Sequence, residues 1–316
     1  MRLTPAPLFI DIYPGPANGM AHWVETQDGM RIRLAHWRPE AEPRGTVLLF
    51  PGRTEYVEKY GVTATALTEH GLAVITADWR GQGLADRLLP DPRIGHVERF
   101  PDYQKDVAAM MQAARELNLP RPFYLIAHSM GGCIALRSLM EGLAVRAAVF
   151  TAPMWGIRLS SHIRPFAWSM AHLMPMIGQG NRMPPGTLPE PYVLSEPFDT
   201  NMLTGDEEMF DMMRDQLRAH PELGLGGPSF IWLREALEET SHLARRPSPN
   251  VPVTVFLGSN ERIVHVGRIR ERMENWKQGR LEMIEGGEHE VMMESSAVTG
   301  PLYDRIAGFF EDCRSR

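Results

Sequence analysis

Short apolar runs alternate with helical patterns along the first half of the chain. Each run is rich in β-branched or aromatic residues and bounded by Gly or Pro, which is typical of strands buried in a parallel sheet. The four runs are Gly45–Phe50, Ala73–Ala77, Phe123–Ala127 and Ala147–Thr151. The helical patterns between them are Tyr60–His70, Phe100–Leu117 and Gly131–Glu141. This alternation predicts an α/β fold with a mostly parallel sheet and right-handed crossovers.

The pattern differs at the two ends of the chain. Residues Ala21–Trp37 alternate apolar and polar positions around Asp28-Gly29, which predicts an antiparallel hairpin at the edge of the sheet. Toward the C-terminus, Val251–Leu257 and Gly279–Ile284 predict two more strands, and Leu302–Cys313 predicts a closing helix.

Residues 154–246 have a character of their own. They contain nine of the chain's 20 Met residues and many Pro and Gly, and they show no clear strand pattern. Asp206–Ala219 is typical of an amphipathic helix. We therefore expect one sheet domain interrupted by a helical cap: core residues 1–153, cap residues 154–246 and core residues 247–316.

Composition narrows the class of protein. Hydrophobic residues make up 43% of the 316 residues, enough for a large core. A formal net charge of −6 disfavours nucleic-acid binding, and Cys133 and Cys313 form neither a disulfide framework nor a zinc motif. No apolar run is long enough to cross a bilayer, and the N-terminus does not resemble a signal peptide. We expect a cytoplasmic protein of unknown oligomeric state, with at most transient contact with the inner membrane.

The strongest local motif is the sequence Ala127-His128-Ser129-Met130-Gly131, between an apolar strand and a helix. A nucleophile on a sharp strand–turn–helix needs small neighbours, because its backbone is strained and crowded. This motif predicts Ser129 as a nucleophile; the alternative is a serine that caps the helix.

A serine hydroxyl needs a base and an orienting acid, which follow it in the chain order Ser, acid, His. His289 comes after Gly286-Gly287 in a loop that follows a predicted strand, and is the expected base. Glu261 follows another strand and is the expected acid. The alternative for Glu261 is a surface carboxylate paired with Arg262.

Acyl transfer also needs donors for the developing oxyanion. The expected donors are the backbone N–H groups of Met130, after the nucleophile, and of Arg53, in the loop after the first parallel strand. The Arg53 side chain has two open alternatives: it is solvated, or it contacts a negatively charged substrate group. No zinc, dinucleotide or phosphate-binding motif is complete, so neither a cofactor nor a metal is implied.

Together these motifs resemble the lysophospholipase and monoacylglycerol lipase branch of the α/β-hydrolase superfamily, and especially the bacterial L2-type lysophospholipases. The matching segments are Pro51–Tyr56, Asp78–Gly83, Gly95–Val97, Phe100–Asp106, Ala127–Gly131, Asn201–Asp206, His220–Ser229, Gly258–Val264 and Glu288–Glu290. The resemblance implies an α/β-hydrolase fold, the triad Ser129, Glu261 and His289, and an oxyanion hole at Arg53 and Met130. Three residues depart from the family pattern: Pro51 replaces His, Ala127 replaces Gly and Glu261 replaces Asp.

Three functions follow from this sequence. The first is a serine hydrolase that cleaves carboxylic esters of lysophospholipids or monoacylglycerols through an acyl-enzyme. The second keeps the triad but acts as a short-chain carboxylesterase, lactonase or peptidase; an acidic cluster near Ser129 would favour a peptidase. The third is a non-catalytic lipid-binding protein on a hydrolase scaffold, which the intact triad disfavours.

Overall fold

The computed structural model describes residues 2–160 and 162–314, which are organised around a nine-stranded sheet. In chain order the strands are β1 (Thr4–Ala6), β2 (Met20–Glu25), β3 (Arg31–Trp37), β4 (Thr46–Phe50), β5 (Ala73–Asp78), β6 (Phe123–His128), β7 (Ala148–Thr151), β8 (Val253–Gly258) and β9 (Gly279–Ile284). Across the sheet their order is β1-β2-β3-β5-β4-β6-β7-β8-β9. The pairs β1–β2, β2–β3 and β3–β5 are antiparallel. The remaining six strands, from β5 across the sheet to β9, are parallel to one another. The α/β fold with a mostly parallel sheet is confirmed.

Helices cover both faces of this sheet. In chain order they are α1 (Gly61–Glu69), α2 (Tyr103–Glu116), α3 (Ser129–Met140), α4 (Ile163–Met176), α5 (Tyr192–Ser195), α6 (Glu207–Ala219), α7 (Phe230–Ala244), α8 (Val266–Glu274) and α9 (Ser296–Arg314). Helices α1 and α9 lie together on one face, joined by a 2.7 Å hydrogen bond between Thr63 Oγ1 and Tyr303 Oη. Helices α2 and α3 pack on the other face, as right-handed crossovers require.

Strand β4 shows why the core strands have continuous apolar sequences. Its side chains alternate between the two faces of the sheet: Leu48 and Phe50 join one buried cluster, and Val47 and Leu49 join the other. All four residues are fully buried. Because both faces are covered by helices, every position of the strand is buried, and its one polar residue, Thr46, donates its hydroxyl to the Pro120 carbonyl oxygen.

The expected elements of the core are found with small shifts of their ends. The hairpin forms as β2 and β3, with Gly29 in the left-handed region at φ +82°. The short edge strand β1 was not predicted, since three residues carry no periodic signal. Helix α9 begins six residues before the predicted start at Leu302, because Pro301 lies within the helix and does not end it.

The largest departure from simple alternation lies between β7 and β8. These strands are neighbours in the sheet, with Ala148 opposite Val253, although about 100 residues separate them in sequence. Helices α4 to α7 fill that interval, and its described residues contain no strand of the sheet. Among the described residues, no helix has the length and apolar character needed to cross a bilayer.

Candidate active site

Ser129 stands at the point where β6 becomes α3. Its φ of +48° lies in the left-handed region, which is strained for a residue with a side chain. Strain of this kind persists only where surrounding structure enforces it, and it lifts the side chain above the sheet edge. The small residues predicted around Ser129 are therefore needed: Ala127 is fully buried, and Gly131 has no room for a side chain.

Gly131 is expected to tolerate no larger residue. A Cβ at this position would overlap the carbonyl oxygens of Phe50 and Pro51 at the end of β4. We expect Gly131→Ala to lower the free energy of unfolding by about 1–3 kcal/mol through overpacking. It should also lower ester hydrolysis about 100-fold, because the displaced segment leads directly into the Arg53 loop. Chemical denaturation and steady-state kinetics measure the two effects.

Gly300→Ala is the matched control for this substitution. Gly300 lies in helix α9, and a Cβ there meets no atom within 4 Å. Alanine suits a helix interior better than glycine by about 0.5–1 kcal/mol, so this variant should be at least as stable as the wild type and fully active. Equal stability and activity of the two variants would contradict the close packing around Gly131.

The structure brings the three predicted triad residues into one hydrogen-bonded chain. His289 Nε2 lies 2.9 Å from Ser129 Oγ, and His289 Nδ1 lies 2.7 Å from Glu261 Oε2. The residues follow β6, β8 and β9, whose carboxyl ends share one edge of the parallel sheet. Since a carboxylate only accepts, Nδ1 carries the proton and Nε2 accepts from the serine hydroxyl. Their catalytic roles stay a prediction.

Both oxygens of the Glu261 carboxylate are engaged. Oε2 accepts from His289, and Oε1 accepts the backbone N–H groups of Ile263 and Val264 at 2.5 and 2.9 Å. Burial by itself raises the pKa of the Glu261 carboxyl, but these hydrogen bonds and the imidazole together lower it below its usual range. Glu261 is therefore ionised at neutral pH and is not the exposed carboxylate of the alternative interpretation.

The two expected oxyanion donors lie on adjacent strands. Arg53 follows β4 and Met130 follows the end of β6, and these strands are paired neighbours. The N–H of Met130 is in the first turn of α3, where no intrahelical acceptor exists. The Arg53 loop is held by Gln82, whose Nε2 donates to the Gly52 carbonyl at 2.9 Å. Their role as an oxyanion hole stays a prediction.

Sequence reasoning missed a buried charged cluster beside His289. Lys59 Nζ lies 2.7 Å from Glu55 Oε1 and 2.6 Å from Glu290 Oε2, and all three side chains are buried. The His128 ring packs against the His289 ring with a centroid distance of 4.8 Å. Burial lowers the pKa of His128 to about 3, so it is neutral at pH 7. The spacing of Glu55 and Lys59, four residues apart, was the available sequence signal.

Lys59 also decides whether this cluster suits a metal ion. One ligand atom each from Glu55, His128 and Glu290 lies within 4.8 Å of the others, a spacing that a cation could bridge. The Lys59 ammonium already bonds both carboxylates and supplies the positive charge that they require. The cluster therefore fits a structural ion-pair network.

Ser129 and His289 open into a cavity of about 320 Å³. Most of its wall is apolar, and much of that wall comes from the segment between β7 and β8. The apolar lining consists of Met154, Ile157, Pro191, Val193, Leu203, Met213, Leu217, Pro228, Trp232, Leu233, Ile263 and Val264. The volume and lining are typical of a small-molecule site with a few polar groups that fix the ligand's orientation.

A larger cavity of about 720 Å³ lies elsewhere on the molecule. Its lining is polar and basic and includes Arg245, Arg246 and Arg272. Neither Ser129 nor His289 lines it. The smaller cavity is the candidate active site, because of the two it alone is lined by Ser129 and His289.

The sequence is similar to a known hydrolase family and to several of its members. The family model described as Hydrolase_4, serine aminopeptidase S33, matches residues 41–296. Lysophospholipase L2 of Escherichia coli strain K12 is 31% identical over 299 residues, covering 90% of this chain and 85% of that protein. A probable lysophospholipase L2 of Haemophilus influenzae is 29% identical, covering 84% of this chain and 85% of that protein.

Solved structures share the fold at low sequence identity. A soluble variant of monoglyceride lipase from Saccharomyces cerevisiae superposes with a TM-score of 0.72 and 18% identity, over 98% of this chain and 99% of that one. A carboxyl esterase from Bacillus coagulans gives a TM-score of 0.73 at 13% identity, over 95% of this chain and 100% of that one. The chain has the α/β-hydrolase fold and belongs to the Hydrolase_4 (serine aminopeptidase S33) family, in the branch of the L2 lysophospholipases.

Proposed function

We propose that this protein is a serine hydrolase that cleaves the carboxylic ester of lysophospholipids or monoacylglycerols. One observation carries the proposal: the Ser129–His289–Glu261 chain of hydrogen bonds opens into an apolar cavity. An apolar wall suits an acyl chain, and the relatives named lysophospholipase L2 extend over most of this chain.

The reaction has two halves. Ser129 Oγ attacks the ester carbonyl while its proton moves to His289 Nε2, and the Glu261 carboxylate stabilises the imidazolium. The N–H groups of Arg53 and Met130 stabilise the tetrahedral oxyanion. His289 returns the proton to the departing alcohol, which leaves Ser129 acylated. Water, deprotonated by His289, then attacks the acyl-enzyme, releases the fatty acid and restores the serine hydroxyl.

A peptidase is the alternative that an acidic cluster near Ser129 would favour. Glu55 and Glu290 do line the cavity, but the Lys59 ammonium bonds both of them. Their negative charge is therefore partly neutralised, which weakens pairing with the amino group of a peptide. The Arg53 guanidinium, in the same cavity, would repel that group. These charges favour the ester hydrolase.

The domain division is part of the proposal: residues 154–246 form a cap between core residues 1–153 and 247–316. Support comes from the cavity, which has a catalytic side following β6, β8 and β9 and an apolar side from this segment.

Helix α4 in the cap exposes Ile163, Phe166 and Met176, which supports transient contact with a membrane surface. Sedimentation with lipid vesicles tests that contact, and an unbound protein would contradict it.

The purified protein is expected to hydrolyse long-chain single-acyl lipids. The assay compares p-nitrophenyl esters from acetyl to palmitoyl with lysophosphatidylcholine, monoacylglycerol and an aminoacyl p-nitroanilide. We expect turnover of both lipids and none of the anilide. Activity confined to short esters would replace the proposed substrate with that of a general carboxylesterase, and turnover of the anilide alone would favour the peptidase.

A further inference from the structure

The Arg53 side chain is partly buried and has no carboxylate partner among the described residues. Its Nη2 donates to the Gly226 carbonyl oxygen at 2.5 Å. Its Nε is buried and has no hydrogen-bond partner. The guanidinium carbon lies 5.2 Å from the centre of the Trp232 ring, and both residues line the cavity of Ser129. The side chain thus makes one hydrogen bond to the protein, through Nη2, at the wall of a largely apolar cavity.

Two other buried cations are paired with acids, whereas the buried Arg272 donates its hydrogen bonds to backbone carbonyl oxygens and to Ser248 Oγ. Lys59, in the same cavity, contacts two carboxylates, and the fully buried Arg33 bonds both Glu58 and Asp78. Burial lowers the pKa of Arg53 to about 10, so it still carries its charge at pH 7. A desolvated charge without a counterion is costly, and a cavity that contains one is complementary to an anion.

We propose that the Arg53 guanidinium binds an anionic oxygen group in the alcohol portion of the substrate, the phosphodiester of a lysophospholipid. This inference rests on the proposed function, whose substrate it narrows. The Arg53 backbone is the expected oxyanion donor, so its side chain belongs beside the reacting ester. In a lysophospholipid, only the glycerol separates the ester from the phosphodiester. The planar guanidinium presents paired donors to two phosphate oxygens.

A purely structural role is the competing explanation. The hydrogen bond to Gly226 joins the core to the cap, so the only role of Arg53 could be to stabilise this contact. Arg87 provides the comparison: it donates to the Glu222 and Gly224 carbonyl oxygens at 3.2 Å but does not line the cavity. Removing Arg87 loosens the same part of the cap and leaves the cavity's charge unchanged.

The experiment measures binding without turnover, by calorimetry on the full chain carrying Ser129→Ala. Its ligands are decanoyl lysophosphatidylglycerol, monodecanoylglycerol and inorganic phosphate. We expect Arg53→Met to weaken binding of the lysophospholipid, relative to monodecanoylglycerol, about 10- to 100-fold. Arg53→Lys should restore part of that preference, because it keeps the charge but loses the paired donors. Arg87→Met should weaken binding of both lipids by the same factor, with no change in the preference between them.

Two results would overturn the inference. One is an equal loss of affinity for both lipids in Arg53→Met, which would give Arg53 the same purely structural role as Arg87. The other is inorganic phosphate that binds as tightly as the lysophospholipid, which would make the site one for free anions. If preference depends on Arg53 but active protein cleaves neither lipid, the proposed function fails and this site stands. If both lipids are cleaved with an unchanged preference in Arg53→Met, the function stands and this site fails.

Discussion

Replacing Ser129 with alanine should lower kcat for ester hydrolysis about 10⁶-fold, the scale measured for loss of a serine nucleophile. The expectation follows from geometry, since Ser129 Oγ is the atom 2.9 Å from His289 Nε2. Alanine removes that oxygen and leaves no atom to form an acyl-enzyme. The measurement is hydrolysis of lysophosphatidylcholine and p-nitrophenyl esters, with labelling by a fluorophosphonate probe as a second readout of the serine.

Ser138→Ala is the matched control for Ser129→Ala. Ser138 lies in the same helix, α3, and its hydroxyl donates to Gln104 Oε1 at 2.7 Å, away from the cavity. Its loss should cost about 1 kcal/mol of stability from one hydrogen bond while leaving kcat near that of the wild type. Residual activity of Ser129→Ala close to the control's would assign the nucleophile to another residue. An unfolded Ser129→Ala would be recognised by its circular dichroism.

The triad could be placed from the sequence because each of its residues lies at most five positions after the end of a strand. Ser129 comes after an apolar run, and His289 and Glu261 come after two others, so a parallel sheet brings all three to one edge. For β6 and β8 this pattern is strong, because burial on both faces demands continuous apolar residues. Strand β9 is a partly exposed edge strand, so the prediction of His289 depended more on the chain order Ser, acid, His.

The charged cluster could not be predicted in the same way. Lys59 lies in a short helical turn before α1, and its partner Glu290 is more than 200 residues further along the chain. Charged residues are usually exposed, so sequence alone assigns both to the surface. Only the packing of the turn against the loop of His289 shows that they are buried. The missing counterion of Arg53 is likewise visible only in three dimensions.

Within the segment between β7 and β8, the sequence predicts one helix well and another poorly. Helix α6 has a strong amphipathic pattern and an Asp206 N-cap that accepts from the Met209 N–H, and it was predicted to within one residue. Helix α4 exposes several large apolar side chains, so its polar and apolar positions do not separate into two faces. Periodicity identifies a helix when one side is buried, and α4 lacks that contrast.

Replacing Glu261 with glutamine should lower kcat about 10³- to 10⁴-fold with little change in KM. The two oxygens of Glu261 accept from opposite sides, one from His289 and one from the backbone of Ile263 and Val264. The glutamine NH₂ cannot face those backbone donors, so it must point at His289. The imidazole would then accept at Nδ1 and carry its proton at Nε2, which prevents it from taking the serine proton.

Glu288→Gln is the control that separates this tautomer effect from a general loss of charge. Glu288 immediately precedes His289 but points to Arg262, 3.0 Å away at the surface. Removing its charge should change kcat less than about threefold, because the carboxylate pairs with the half-exposed Arg262 instead of with the imidazole. Nitrogen NMR of the imidazole reports the proton position directly: Nδ1–H in the control and Nε2–H in Glu261→Gln. A Glu261→Gln enzyme with normal kcat and an Nδ1–H imidazole would show that the histidine is oriented by another group.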